Sequence, residues 1–105
     1  MFARVMSSHL GSPDKADVFA RTMRDTVIPQ AQRLQGFKGG YWLIDRESGT
    51  VMGVTLFESE QALKASEGQA DRIREQASRV MGEQVPSFHN FEVVASIGSL
   101  ESLAA

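Results

Sequence analysis

Hydrophobic positions along the chain switch between a period of two and a period of three to four. Met1 to His9 alternates. Phe2, Arg4, Met6 and Ser8 fall on one side of a strand, and Ala3, Val5, Ser7 and His9 on the other. The period then lengthens. Ala16, Phe19, Ala20, Met23, Val27, Ala31 and Leu34 form one stripe of an amphipathic helix. Ser12 suits its N-cap, Pro13 its first position, and Asp14 and Asp17 the positive end of its dipole. Pro29 interrupts the stripe and predicts a kink, and Gly36 predicts the stop.

Alternation returns in Phe37 to Arg46 and Thr50 to Glu58, around the turn Glu47-Ser48-Gly49. With Arg46 opposite Thr50, Trp42 faces Val54 and Ile44 faces Met52 on one side. Tyr41 faces Thr55 and Leu43 faces Gly53 on the other. Ser59 opens a second helix, with Leu63, Ser66, Ala70, Ile73, Ala77 and Val80 in its stripe. Gly68 is where that helix is weakest, and Gly82 ends it. Phe88 to Ile97 reads as the last strand.

The order β-α-β-β-α-β predicts an α+β, ferredoxin-like domain: a four-stranded antiparallel sheet with both helices on one face. Residues 1–97 make the single domain, and residues 98–105 a C-terminal tail. The strands carry apolar residues on both sides. In the last strand Phe91, Val93, Ala95 and Ile97 form one row, and Phe88, Asn90, Glu92 and Val94 the other. Two helices cover only one face, so the second face calls for another sheet, most simply that of a second copy.

Composition narrows the partners. The 105 residues carry a formal net charge of −2 and no Cys. Basic residues are interleaved with acids, as in Arg72, Arg74, Glu75 and Arg79, so nucleic acid is not expected. No disulfide, thiolate metal site or Cys nucleophile is available. MFARVMSSHL lacks the pattern of a signal peptide, and no run approaches the roughly 20 apolar residues of a membrane span. The chain reads as a soluble cytoplasmic protein with no membrane partner.

Arg4 is the most informative polar residue, a charge in mid-strand among apolar neighbours. Placed with Glu92 on the face away from the helices, it is either half of an ion pair inside a dimer or a pocket cation for an anionic ligand. His9 and His89, at neighbouring strand ends, are either solvated or an acid–base pair. With only Asp14 or Asp17 as a third ligand, no metal site is expected. Tyr41 and Trp42 point to opposite faces. Trp42 joins Ile44, Met52, Val54 and Leu56 in the helix-side core. Tyr41 joins Thr55 and Phe57 on the second face, as interface packing or as a pocket wall, and Asn90, solvated or facing the pocket, lies beside Glu92 there. Met6, Met23, Met52 and Met81 read as adaptable core or pocket lining. GFKGG runs into a strand rather than a helix, so it is no phosphate loop.

The succession GSPDKAD, PQAQRLQGFKGGYWLIDRESG and VTLFESEQALKASE resembles the antibiotic biosynthesis monooxygenase family of the dimeric α+β barrel superfamily, over about residues 2 to 97. The resemblance implies a homodimer with its sheets facing each other. It also implies a pocket in each protomer, and cofactor-independent oxygenation of a small aromatic or polyphenolic molecule, with no cofactor. Where this sequence has Phe57, related ones often have Trp. The haem-degrading branch uses an Asn on the first strand and a His on the second helix. Here Met1 to His9 contains no Asn, Ser59 to Gly82 contains no His, and Trp42 is the only Trp, so haem chemistry is not expected. In the monooxygenase reading Arg4 is the cation and Tyr41 or Asn90 a hydrogen-bond partner. Met6, Thr55, Phe57 and Val94 line the pocket, and the base is one of His9, His89 and Glu92. The alternative, a non-catalytic homodimeric barrel that binds a small molecule or only packs on itself, stays open.

Overall fold

The computed structural model describes residues 1–83 and 86–98. Gln84, Val85 and most of the tail assigned from sequence lie outside the described residues. The strands are β1 (Phe2–His9), β2 (Phe37–Asp45), β3 (Thr50–Phe57) and β4 (Ser87–Glu92). They form one antiparallel sheet in the order β2-β3-β1-β4. A 3-10 turn at Pro13–Lys15 leads into α1 (Ala16–Thr22). A π-helical turn at Met23–Val27 then joins α1 to α2 (Ile28–Ala31). After β3 come α3 (Glu60–Ala65) and α4 (Glu67–Met81). This is the ferredoxin-like α+β arrangement.

The expected caps form. Ser12 Oγ accepts from the Asp14 N–H, and Ser59 Oγ accepts from the Ala62 N–H. Gly82 caps α4 with a left-handed φ of 70°, whereas α2 stops earlier than expected, at Ala31, and Gly36 (φ 79°) turns the chain into β2 five residues later. Pro29 acts less simply than a kink. It cannot donate to the carbonyl of Asp25, and its ring crowds that turn. The backbone widens into the π turn just before it, then resumes as α2.

Helix two breaks at Ser66, not at Gly68, which lies in the first turn of α4. Ser66 Oγ donates back to the Leu63 carbonyl over 2.7 Å, the local bond by which a mid-helix Ser competes with the backbone ladder. Val80 drops off the expected stripe and is exposed. Met81, four residues after Ala77, takes the inward position.

The hairpin register is one residue off the expected one. Asp45 Oδ1 accepts from the N–H groups of Glu47 and Ser48, and Gly49 N–H donates to the Asp45 carbonyl. The turn therefore closes on Asp45 opposite Thr50 rather than Arg46 opposite Thr50. Trp42 faces Gly53, Ile44 faces Val51 and Tyr41 faces Val54. A slip of one turns over every side chain of β3 relative to the expectation. Thr55 and Phe57 belong to the helix side, and Met52, Val54 and Leu56 to the open side.

β4 is shorter than Phe88 to Ile97. It pairs only with β1, whose start it reaches at Glu92, and the last bond runs from Val93 N–H to the Met1 carbonyl. Beyond that point no strand is left to pair. The core fills the space between sheet and helices: Phe19, Met23, Val27, Ala31 and Leu34 from the first helical run, Leu63, Ile73 and Ala77 from the second, and Val51 and Phe57 from β3. The other face of the sheet is open. There Leu43 is 49% and Phe91 53% exposed, and Val5, Tyr41, Val54 and Leu56 are half-buried.

Candidate functional site

A cavity of about 90 Å³ lies between the sheet and the helices. Met6, Phe19, Met23, Val27, Trp42 and Ile73 give it apolar walls. Arg4, Thr55, Arg74 and Glu83 supply polar groups. Gly53 makes room: a Cβ there would sit 3.0 Å from Met6 Cε and 3.2 Å from Trp42 Cδ1.

Arg4 points into the helix side and is only 4% exposed. Its Nη2 donates to the Leu63 carbonyl at 2.9 Å and to Ser66 Oγ at 3.1 Å. The guanidinium carbon stands 5.3 Å from the Phe57 ring centre and 5.7 Å from that of Phe88. No carboxylate is in ion-pair range of Arg4 among the described residues, and its buried Nε–H has no acceptor. Burial, then the like charge of Arg74, lowers its pKa, while Glu67 and Asp71 act the other way. Arg74 stacks on Phe88 at 4.1 Å and pairs with Asp71 toward solvent.

These placements correct several expectations. Arg4 and Glu92 form no ion pair: Arg4 lies opposite Asn90, while Glu92 lies opposite Phe2 and is exposed. Asn90 is exposed and donates to Glu67 over 3.4 Å. Phe57 is fully buried beneath Arg4, and Thr55 lines the cavity, so neither shares a face with Tyr41. Tyr41 is on the open face, away from the cavity. Val94, past the end of β4, is 89% exposed and walls nothing. His9 and His89 also lie on the open face. His89 stands opposite Val5, four residues along β1 from His9, or about 13 Å at the rise of a strand, so the two do not form a pair. His9 contacts Thr50 Oγ1 at 3.4 Å.

Arg4, Met6 and Thr55 are thus brought together in the cavity wall, with Phe57 and Asn90 beside them. The sequence reading missed Arg74 and Glu83 and assigned Trp42 to core alone. Arg74 did leave a signal: it stands four residues after Ala70 and three before Ala77, on the edge of the apolar stripe. Glu83 accepts from Lys15 Nζ at 2.7 Å and from Gly11 N–H at 3.0 Å, and these bonds, Lys15 first, hold its carboxyl below the usual range. Among the described residues no group of three potential ligands is placed to hold a metal, and no helix is long and apolar enough to cross a membrane.

A ferredoxin-like α+β domain with an apolar cavity under its helices, walled on one side by arginines, is the class the geometry defines. Solved structures place it more narrowly. A monooxygenase from the gene ActVA-Orf6 of Streptomyces coelicolor, solved with nanaomycin D, superposes with a TM-score of 0.70 at 19% identity, over 91% of this chain and 89% of that one. A protein of Caulobacter crescentus assigned to the antibiotic biosynthesis monooxygenases gives 0.66 at 20% identity, over 90% of each chain. SnoaB, a cofactor-independent oxygenase of Streptomyces nogalater, gives 0.59 at 18% identity, over 91% of this chain and 93% of that one. The chain has the fold of the antibiotic biosynthesis monooxygenases. No protein-family model matches it. Among curated proteins, the uncharacterized protein Rv2557 of Mycobacterium tuberculosis (strain ATCC 25618 / H37Rv) is 32% identical over 73 residues, 70% of this chain and 32% of that protein. The chain therefore spans about a third of the length of that relative.

Proposed function

We propose that the protein is a cofactor-independent monooxygenase acting on a small, electron-rich phenol bound in the cavity. The observation that carries this reading is the buried Arg4 in an otherwise apolar wall. A cation in a dry site favours the phenolate over the phenol, and that anion can hand electrons to dioxygen directly. Trp42, Met6 and Phe19 shape the site and keep water out, and Thr55 offers a hydroxyl. Glu83 is the carboxylate in the cavity wall, while His9 and His89 face the other way. A ring carbon para to the hydroxyl gains one oxygen atom as a carbonyl, the phenol becomes a quinone, and the two hydrogens lost leave with the second oxygen atom as water. All four electrons come from the substrate, so no resident cofactor is required.

A homodimer accompanies this reading. The exposed Leu43 and Phe91 on the open face support a second copy seated there. The absence of Cys in the sequence fits a cytoplasmic protein.

Oxygen uptake by the purified protein, over a panel of small phenols and quinols, tests the activity. Turnover that falls at least tenfold in Arg4→Met supports the assignment, and equal turnover in both contradicts it. One observation favours the second reading, a non-catalytic binding barrel. The carboxyl of Glu83 is held below the usual range, which makes it a weak base. Ligand binding without oxygen uptake would select that reading.

A further inference from the structure

A buried guanidinium normally has a carboxylate beside it, because the charge is costly to desolvate alone. Arg4 has two neutral acceptors, two aromatic faces, and an Nε–H with no acceptor among the described residues. A second cation, Arg74, lines the same cavity and acts against the charge of Arg4, while Glu67 and Asp71 act the other way without an ion pair to Arg4. Asp71 engages Arg74 from the exposed side, so it does not fill the space in front of Arg4. The cavity's carboxylate, Glu83, is engaged by Lys15 and the Gly11 N–H, so what Arg4 lacks among the described residues is an acceptor that carries negative charge.

The volume sets a second limit. About 90 Å³ is less than the roughly 150 Å³ of an apolar protein cavity that takes benzene. One aromatic ring enters if Met6, Met23 or Met81 yields, and methionines in the wall are the side chains best able to do so. Three fused rings do not.

We infer that the cavity takes a single-ring aromatic anion, its acidic oxygen held by Arg4 with Arg74 behind it and its ring against Trp42. The inference rests on reading the cavity as the ligand site, and it names the ligand class whether or not oxygenation follows.

Trp42 is the only Trp of the chain and lines the cavity, so its emission reports occupancy without any turnover. The experiment titrates the full chain with benzoate, with neutral benzamide of nearly equal shape, and with anthracene-9-carboxylate, following Trp42 emission and heat release. The expected result is saturable benzoate binding, on the order of tenfold tighter than benzamide, and weak or no binding of the tricyclic acid. Arg74→Gln should weaken benzoate several-fold more than it weakens benzamide. Arg4→Met, where circular dichroism shows it folded, should abolish the preference for the anion. The benzoate–benzamide comparison needs no variant, so a misfolded Arg4→Met leaves the test intact. Equal binding of benzoate and benzamide, no benzoate binding at millimolar concentration, or tighter binding of the tricyclic acid overturns the inference. Oxygen uptake plays no part here, so failure of the oxygenase reading shows separately.

Discussion

Arg4 Nη2 donates to Ser66 Oγ across 3.1 Å, and Ser66 is the residue at which the second helix breaks into α3 and α4. One hydroxyl thus does two things. It accepts from the buried cation and donates to the Leu63 carbonyl that the same cation uses. Sheet and helix layers are tied together at this point, at the edge of the cavity.

Ser66→Ala removes that hydroxyl from a buried site. It should cost about 1–2 kcal/mol, the usual range for leaving a buried donor short of a partner. Urea unfolding measures this. No change in midpoint would mean that Arg4 does not depend on Ser66.

Gly53 sets the packing of the cavity wall. A Cβ at this position meets Met6 Cε at 3.0 Å, the mobile end of a flexible side chain that can swing into the cavity. Met6 Cγ at 3.1 Å and Trp42 Cδ1 at 3.2 Å are crowded as well, so Gly53→Ala should lower stability by about 1–3 kcal/mol. It should shift Trp42 emission and weaken any cavity ligand. Unaltered ligand affinity would place binding elsewhere.

Glu83 gives the fold an acid-sensitive contact. Hydrogen bonds from Lys15 and the Gly11 N–H hold its carboxyl below the usual range in the folded chain. Folding thus favours the ionised form. Its contribution is complete above the unfolded carboxyl pKa of roughly 4.3 and drains away as pH falls through the lower folded value. The stability gap between wild type and Glu83→Gln should be constant near neutral pH and narrow below about pH 4. A gap as wide in strong acid as at neutrality would contradict this linkage.

The open face is where the proposed second copy would sit. Leu43 on β2 and Phe91 on β4 stand on opposite edges of that face, both about half exposed. Light scattering should find a dimer for the wild type and a monomer for Leu43→Glu with Phe91→Glu, because burying two carboxylates between sheets is strongly unfavourable. A monomeric wild type would remove the second copy from the account.

Local chemistry made most of the fold readable. Ser12, Ser59 and Gly82 declare helix ends through caps and a left-handed turn, Gly36 marks the turn into β2 rather than the end of α2 at Ala31, and strand alternation around Gly49 declares the hairpin. The register was harder. It depends on whether Asp45 or Arg46 closes the turn, which the side-chain bonds of Asp45 decide and alternation does not. That one residue moved Thr55 and Phe57 to the helix side, and with them the neighbours expected for Tyr41. Arg4 stood out because a charge in an apolar strand is costly, but its partners lie 59 and 62 residues away, on a helix break that no local pattern marks at Ser66. The end of β4 was unreadable for a different reason: Val94 and Ile97 look like strand residues, yet β1 is too short to pair them.

The central claim is that the cavity around Arg4 directs dioxygen onto a bound phenolate. Turnover of an electron-rich phenol under isotopically labelled dioxygen, with the product weighed by mass spectrometry, tests it most directly. The account requires one labelled oxygen atom in the quinone, and loss of that product in Arg4→Met. A product carrying no oxygen from dioxygen, or the same yield from both proteins, would contradict it.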